Sequence, residues 1–370
     1  MKALLLLLLH FLLASLAHCS SGKKIRWCTL SDAEQRKCSD LSRALVAILT
    51  LTDTTAFGRV SCIRMRNTRD CVDKIRANKA DAASLDAGDV YSCANLHGLT
   101  VAAKEVYAEG NCVFAVAVVR RGTPRNIHAL KGSRSCHNGA RWTSGWSIPL
   151  GFLLSSGDLV WDKDRPLRRA VADYFNASCV PGAGDLRLCA LCRGVKSYLP
   201  DRNHFCETNG DEPFYDSEGA FRCLASGAAD VAFLDHLAIV NASESDQESF
   251  ALLCADGSTA PLTDYTTCNL GRGPGRAIVT RRSFRKIAVK FITVVQVILG
   301  GRNTFIWDSI QGTRWKSEFK LRPHPVEDKT VESVALRHVM VPRHVNAGVD
   351  AAQVDSLQSK MGCPATVRTQ

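Results

Sequence analysis

The sequence predicts an α/β fold made of two similar halves that face a cleft. Helix and strand patterns alternate along the chain, which is typical of α/β proteins. The segment ADAASLD (80–86) recurs as ADVAFLD (229–235) with five identical positions, and each copy follows a predicted helix that carries a cysteine, Cys71 or Cys223. A repeat of this kind indicates two related halves, although chance similarity between alanine-rich segments is the alternative interpretation.

Local patterns predict individual helices, strands and loops along the chain. Residues 25–30 are predicted as a strand. Ser31 and Glu34 have the spacing of a capping box, which predicts a helix from there through about Leu45. Thr68 is the predicted N-cap of a second helix. The remaining predictions are the end of that second helix near 77, strands over 82–85 and 115–119, helices over 167–175 and 283–299, and loops over 181–185 and 201–211.

The amino terminus has the pattern of a secretory signal peptide. Lys2 precedes the largely apolar stretch 3–17, and cleavage is expected after Ala17 or Cys19, which gives a signal peptide over 1–19. An uncleaved anchor is the alternative. However, about 15 residues are fewer than the ~20 that a membrane-spanning helix needs.

Sixteen cysteines in a secreted chain favour a disulfide framework over metal clusters. Sequons at Asn176 and Asn241 are predicted N-glycosylation sites, which also fits a secreted chain. The CALC segment, Cys189 to Cys192, has the spacing of a redox pair, but in so dense a cysteine network it is predicted to be structural. The chain lacks GxSxG, HExxH and phosphate-binding glycine motifs, so we expect a non-catalytic protein without a cofactor.

The formal net charge of +11 predicts partners that carry negative charge. Outside the cell these are polyanions, carboxylate-rich matrix or the anions of a mineral, rather than nucleic acid. The positive residues lie in several short, scattered runs, and scattered charge is also typical of an ordinary solvated surface. Composition therefore indicates the class of partner and leaves open whether a dedicated polyanion site exists.

Several spaced segments resemble landmarks of the amino-terminal lobe of transferrins. They follow the family's order over about residues 23–345, and the stretch SCVPGAG…LCALCRG resembles melanotransferrin in particular. Because many spaced motifs agree at once, the chain is identified as a member of the transferrin family, with one lobe in place of the usual two. The segments are KIRWCTLSDAEQRKC, SLDAGDVY, FAVAVVRR, KGSRSCHNGARWTSGWSIPLG, GAFRCLASGAADVAFLDH and EFKLRPHP.

The resemblance implies a single disulfide-rich lobe of two α/β subdomains around a cleft, an arrangement shared with periplasmic binding proteins. The lobe is expected over 20–345, followed by a carboxyl-terminal tail over 346–370. Subdomain 1 is expected to hold about 20–112 and 323–345, and subdomain 2 about 113–322. Two hinge strands would join them.

The resemblance also implies a set of disulfides. Cys93 and Cys112 are left as a further pair near the cleft. Since Cys19 is expected to leave with the signal peptide, Cys363 would then be free or intermolecular, and if cleavage spares Cys19 a Cys19–Cys363 bond is the alternative. The six implied pairs are Cys28–Cys71, Cys38–Cys62, Cys136–Cys223, Cys179–Cys192, Cys189–Cys206 and Cys254–Cys268.

Transferrins bind Fe(III) through one Asp, two Tyr and one His, because a hard trication favours anionic oxygen ligands. By resemblance Asp86 matches the aspartate, and His324 matches the histidine after a two-residue gap. Val113 and Ser217 stand at the two tyrosine positions. Both phenolates are therefore absent, and we expect Asp86 and His324 to be vestigial metal positions without tight Fe(III) binding.

The positions that seat the carbonate of transferrins have also changed. Asn138 stands for the threonine and Trp142 for the arginine, while the adjacent Arg141 would point about 100° away on a helix. A changed cation is the alternative, because carboxylates without phenolates suit Ca²⁺. The carboxylates that would line such a site are Asp86, Asp89, Asp216 and Glu218.

A secreted, anchor-free chain with one lobe is similar to the transferrin relatives of fish otolith matrix. The resemblance therefore implies a non-catalytic component of a calcium carbonate biomineral in the extracellular matrix. Its partners would be the mineral and other, collagen-like matrix proteins. Two alternatives remain open: a regulator like the iron-free relatives that inhibit carbonic anhydrase, and a carrier of a metal or small ligand.

Overall fold

Two mixed β-sheets with flanking helices form the fold. The predicted signal peptide, the tail over 346–370, and residues Asn241, His324 and Cys363 lie outside the part of the chain that the structure describes. The computed structural model describes residues 24–52, 59–106, 112–123, 126–162, 164–196, 205–240, 242–300 and 320–323.

The first sheet combines the start of the chain with two later strands. Its strands are β1 (Lys24–Thr29), β2 (Arg59–Arg64), β3 (Ala82–Leu85), β4 (Thr100–Val106), β12 (Ala277–Thr280) and β13 (Lys320–Pro323). They lie in the order β13-β4-β12-β3-β1-β2, with β1 parallel to β2 and β3. The helices of this half are α1 (Asp32–Thr52), α2 (Thr68–Arg76), α3 (Ala87–His97) and α8 (Arg285–Gly300).

The second sheet is built around one strand that is buried along almost its whole length. Its strands are β5 (Cys112–Arg120), β6 (Arg134–His137), β7 (Ala177–Cys179), β8 (Val231–Asp235), β9 (Phe250–Leu253), β10 (Thr259–Ala260) and β11 (Gly271–Pro274). They lie in the order β10-β9-β5-β8-β6-β7, and β11 pairs with β5. The only exposed residue of β5 is Arg120. The helices of this half are α4 (Ile148–Ser155), α5 (Leu167–Tyr174), α6 (Asp216–Ala225) and α7 (Glu244–Ser249).

The two copies of the sequence repeat occupy equivalent positions in the two sheets. Asp81 accepts hydrogen bonds from the backbone N–H of Arg26 (2.9 Å) and from its guanidinium (2.7 Å). In the second half Asp230 accepts the same two bonds from Arg134, each at 2.9 Å. In each half the arginine's strand runs parallel to the strand after the aspartate, β1 with β3 and β6 with β8. The repeat is therefore a structural unit, and chance similarity does not explain it.

The helix starts of the first half depend on side-chain caps. Ser31 caps the helix as predicted, because its Oγ accepts the Glu34 N–H (3.1 Å). The Glu34 carboxylate reaches back to the N–H of Leu30 (2.6 Å), one residue before the position that a capping box uses. The predicted cap of α2 is wrong by one residue. Asn67 has an extended backbone (φ −157°) and caps the helix with its side chain, whereas Thr68 is already helical.

The chain returns to the first sheet earlier than the resemblance implied. β12 lies between β3 and β4, with Ala277 opposite Leu85 and Thr280 opposite Ala82. The helix α8 that follows packs against β4. This antiparallel ladder places residues from 277 onward in the first half, so the expected extension of subdomain 2 to residue 322 is corrected.

All six disulfides implied by the resemblance form, and the pair Cys93–Cys112 does not. Cys93 is a free thiol buried in the core of the first half. Cys112 begins β5 of the second sheet and is disulfide-bonded to a cysteine outside the described residues. The bonds with both partners described are Cys28–Cys71, Cys38–Cys62, Cys136–Cys223, Cys179–Cys192, Cys189–Cys206 and Cys254–Cys268.

The loop between β7 and α6 is organised by Glu212, whose side chain is buried. Its carboxylate accepts four backbone N–H groups at 2.7–3.2 Å.

The two CALC cysteines bond to partners outside the motif and not to each other, which removes the dithiol that a redox pair requires. Among the described helices, none is both long and apolar enough to cross a membrane.

We predict that Cys93 resists alkylation in the native protein. Its residue is 2% exposed, and burial together with nearby Asp89 raises the pKa of its thiol to about 12. Because the thiolate is the reactive form, treatment with iodoacetamide at neutral pH should leave the Cys93 peptide unmodified, and denaturation without reductant should expose it. Mass spectrometry of the digested protein is the measurement. Recovery of Cys93 in a disulfide, or its rapid native labelling, would contradict the assignment.

Candidate functional site

The cleft between the halves is bridged by the carboxylate of Asp86, the residue between β3 and α3. Its Oδ1 accepts the Gly88 N–H (2.9 Å), which caps α3. From the other half the same oxygen accepts the Thr143 N–H (3.0 Å) and the Thr143 hydroxyl (3.2 Å). Thr143 begins the helical segment Thr143–Ser147 that leads into α4. The first N–H groups of a helix lack internal partners and attract anions, so Asp86 itself supplies the anion at this helix start.

The two halves touch directly beside Asp86. A Cβ added at Gly88 would lie 2.0 Å from the carbonyl oxygen of Arg141. Arg141 holds a left-handed backbone (φ +68°), which L residues seldom adopt, and its side chain is exposed. The approach of these two backbones leaves no room for a side chain at position 88.

Trp142 fills the space next to this contact. Its indole Nε1 donates to Asp89 Oδ2 (3.0 Å), and both residues are buried. Thr68 adds a second, longer hydrogen bond to the same oxygen (3.3 Å). The Trp142 ring packs edge-on against Tyr215 at 5.3 Å. Trp142 is therefore a structural wedge between the halves that also satisfies a buried carboxylate.

In the second half, the two positions at which transferrins carry tyrosines hold a serine hydroxyl and an apolar valine. Ser217 Oγ donates to Asp235 Oδ2 (2.6 Å), and the Asn138 amide donates to Ser217 Oγ (3.1 Å). Val113 is 5% exposed within β5, opposite Gly273. Tyr215 does bring a phenol to the cleft, but burial raises its pKa well above the ordinary value, as does the charge of Glu34. It is a neutral packing group at this site.

Arg276, just before β12, is the cation of the cleft, and sequence reasoning missed it. Its guanidinium donates to the Ser84 carbonyl and to Glu34 Oε1, both at 3.1 Å, and lies 3.6 Å from Asp216 Oδ2 on the other half. It also sits over the Trp142 ring at 5.8 Å. Its side chain is 23% exposed. Although burial would lower the pKa of Arg276, Glu34 and Asp216 hold it well above the ordinary value, so this cation is permanent.

Burial shifts the acidic groups of the cleft toward their neutral forms. It raises the pKa of Asp86 to about 7, and Asp89 adds to the rise, while the Gly88 and Thr143 N–H groups oppose it. The pKa of Asp235 rises to about 6 for the same reason, with Ser217 opposing. Arg276 lowers the pKa of Asp86, Asp89 and Asp235. Arg276 therefore helps to balance all three carboxylates, and at Asp89 the charge of Arg141 lowers the pKa more than that of Arg276 does.

The residues present do not fit Fe(III) with carbonate. The carboxylate of Asp86 already accepts three hydrogen bonds, two of them at the helix start where a carbonate would bind. The guanidinium of Arg276 is held in the cleft by hydrogen bonds. It would repel a ferric ion that entered the cleft. His324 lies outside the described residues.

The carboxylates of the calcium alternative do not come together as a site within the part of the chain that the structure describes. Asp89 is bonded to Trp142, Asp216 faces Arg276 across the cleft, and Glu218 is exposed. Among the described residues, the one group of three ligand-type side chains close enough for a metal is Cys179, Cys192 and Glu212. Its sulfurs form a disulfide and its carboxylate binds backbone N–H groups, so it offers no metal site.

We predict that the titration of Asp86 makes the fold less stable as the pH rises. An aspartate has a pKa near ~3.9 when unfolded and, at this position, about 7 when folded. The folded state therefore binds the proton more tightly, and the free energy of unfolding falls between about pH 4 and pH 7. Asp86→Asn keeps an acceptor oxygen and removes this titration. Over this pH window the free energy of unfolding of the variant should therefore fall by about 2–4 kcal/mol less than that of the wild type.

Urea denaturation at several pH values measures the effect. Asp164→Asn is the matched control because Asp164 is exposed, and its stability curve should run parallel to that of the wild type. A curve for Asp86→Asn that is also parallel to the wild type would disprove the assignment.

The comparisons with known proteins agree with this architecture. The family model described as Transferrin matches residues 25–309. Serotransferrin of Oryzias latipes is 42% identical over 289 residues (76% of this chain and 38% of the relative). Melanotransferrin of Homo sapiens is 40% identical over 288 residues (73% and 37%), and ovotransferrin of Gallus gallus is 36% identical over 292 residues (76% and 39%). The chain spans less than half the length of these curated relatives, and it belongs to the transferrin family.

Proposed function

We propose that the chain is a secreted, non-catalytic transferrin-type protein that serves in the matrix of a calcium carbonate mineral such as the otolith, and that it does not carry iron. The observation that carries the second part is the pairing in the cleft. Arg276 supplies the cation and Asp86 supplies the anion that a ferric ion and its carbonate would bring. The chain's own side chains thus close the cleft without a ligand.

The chemistry of the donor set supports the loss of iron binding. Fe(III) requires several anionic oxygen ligands, and the phenolate positions are a buried valine, Val113, and a serine, Ser217, that donates to Asp235. A trication entering the cleft would also have to displace or tolerate the Arg276 guanidinium. The missing phenolate ligands and the positive charge of Arg276 both disfavour Fe(III) binding in the cleft.

Charge and surface chemistry support the matrix role. The chain carries 47 Lys and Arg against 36 Asp and Glu, so its surface attracts carbonate-rich faces and acidic, collagen-associated macromolecules. Asn176 is exposed at a sequon and is available for a glycan, and the signal pattern at residues 1–19 supports secretion. A compact lobe cross-linked by disulfides is suited to a persistent extracellular structure.

We predict that the purified protein does not take up Fe(III) in the presence of bicarbonate. Phenolate ligands give ferric transferrins a visible charge-transfer band, and none should appear here because Val113 and Ser217 cannot form it. Equilibrium dialysis against a ferric chelate, with iron analysis and visible absorbance, is the measurement. A serotransferrin treated in the same way is the positive control. Stoichiometric iron with a coloured band would support a carrier and overturn the proposal.

We predict that the protein adsorbs to calcium carbonate by surface electrostatics. Because such attraction is screened within about 8 Å at physiological salt, adsorption should fall steeply as salt rises from roughly 50 mM to 500 mM. Arg168 and Arg169 are exposed at the start of α5. The double change Arg168→Glu and Arg169→Glu should weaken adsorption severalfold, and the matched change of both to Lys should not.

The contrary outcomes are also defined. Adsorption that is absent, or that ignores salt and charge reversal, would refute a charge-driven matrix role. Absence of the protein from extracts of otolith matrix would refute the proposed setting while leaving the iron result untouched.

A further inference from the structure

A second candidate site lies at the opposite end of the first sheet from the cleft. Asp86 follows β3, whereas Asp81 precedes it, so these two aspartates mark opposite ends of the strand. Near Asp81 the start of β1 and the end of β12 frame an open cavity of about 560 Å³. Pockets of ~300–1,000 Å³ are the size that accommodates small organic ligands. The cavity is lined by Lys24, Arg26, Asn78, Asp81, Arg281, Ser283 and Phe284.

The cavity carries more positive charge than its single carboxylate can neutralise. Asp81 is 1% exposed, and its Oδ1 accepts from Arg26 Nη2 (2.7 Å) and Arg281 Nη2 (2.6 Å). Its Oδ2 accepts from the backbone N–H and the Nε of Arg26, each at 2.9 Å. Four donors saturate this carboxylate. Three cationic side chains and one anionic side chain therefore leave a surplus of positive charge at the lining.

Donor groups of the lining remain available. Among the described residues, neither the ammonium of Lys24 nor the Nε of Arg281 has an acceptor within hydrogen-bond distance, and the hydroxyl of Ser283 is exposed. Arg281 is fixed in place, because its Nη1 donates to the Ile75 carbonyl (2.9 Å) and its guanidinium stacks over Phe284 at 5.2 Å. A fixed guanidinium edge together with an ammonium on a flexible lysine stem is a favourable receptor for a multivalent oxyanion.

We propose that this cavity binds a phosphate or sulfate group, between Lys24 and Arg281 and with Ser283 as a further donor. The volume exceeds what one inorganic anion fills, so the geometry favours the group as an ester on a small organic molecule such as a sugar. This site does not depend on the mineral role proposed above, and neither Arg276 nor the cleft takes part in it.

Isothermal titration of the whole secreted protein at about 150 mM salt, where diffuse attraction is screened, tests the proposal. The probes are inorganic phosphate, inorganic sulfate, glucose 6-phosphate and, as the uncharged control, glucose. We expect glucose 6-phosphate to bind and glucose not to bind. If inorganic phosphate or sulfate binds as tightly as glucose 6-phosphate, the site is assigned to the free anion. If the inorganic anions bind more weakly than glucose 6-phosphate, the site is assigned to the ester. Both results support an oxyanion site.

Variants separate a defined site from general attraction. Lys24→Gln should weaken binding of glucose 6-phosphate about tenfold, whereas Lys37→Gln, which removes an equal charge from an exposed position on α1, should change it less than about twofold. Ser283→Ala should also weaken binding, and neither Lys24 nor Ser283 supports the buried pairing of Asp81, so the variants should fold. Absence of binding by every anion, or equal losses in the Lys24 and Lys37 variants, would overturn the proposal.

Discussion

Buried acidic groups in the cleft require a compensating cation, and the remaining features of the cleft follow from how this chain supplies it. Carboxylates that leave water need hydrogen bonds and opposite charge. Arg276, in the first half, supplies the opposite charge and reaches Asp216 in the second half. The carboxylate of Asp86 obtains its hydrogen bonds from three donors, two of which lie across the cleft. The same contacts that satisfy these groups therefore hold the halves together, with Gly88 against Arg141 as the steric consequence.

Sequence reasoning predicted the local units well because their signals are local. The repeated heptapeptide, the capping box of Ser31 and Glu34 and the apolar core of β5 all depend on residues close together in the chain. The position of β12 does not. Its four residues, AIVT, are too few to assign by pattern, and only pairing with β3 and β4 places them. Because the resemblance predicts the return of the chain near residue 323, the sequence does not identify Arg276 as a residue of the cleft.

Cysteine partners and site roles show the same limit. Spacing alone does not determine connectivity. Cys93 lies on α3 of the first half and Cys112 begins β5 of the second half, although they are near in sequence. Asp86 lies in the cleft, but an aspartate is compatible with both a metal ligand and a helix cap. The donors that decide between these roles, Gly88 and Thr143, are identified only by the fold.

The repeat explains why acid is present in the cleft at all. Each copy ends in an aspartate that accepts an N–H at the start of the next helical turn, Asp86 from Gly88 and Asp235 from Leu237. Both acids are thus required locally by the repeated unit, whether or not a metal binds between them. Arg276 lies outside the repeat, and its charge favours the ionised form of both aspartates. The acidity of the cleft therefore belongs to the architecture, whereas the identity of the cation that neutralises it is set by a single residue.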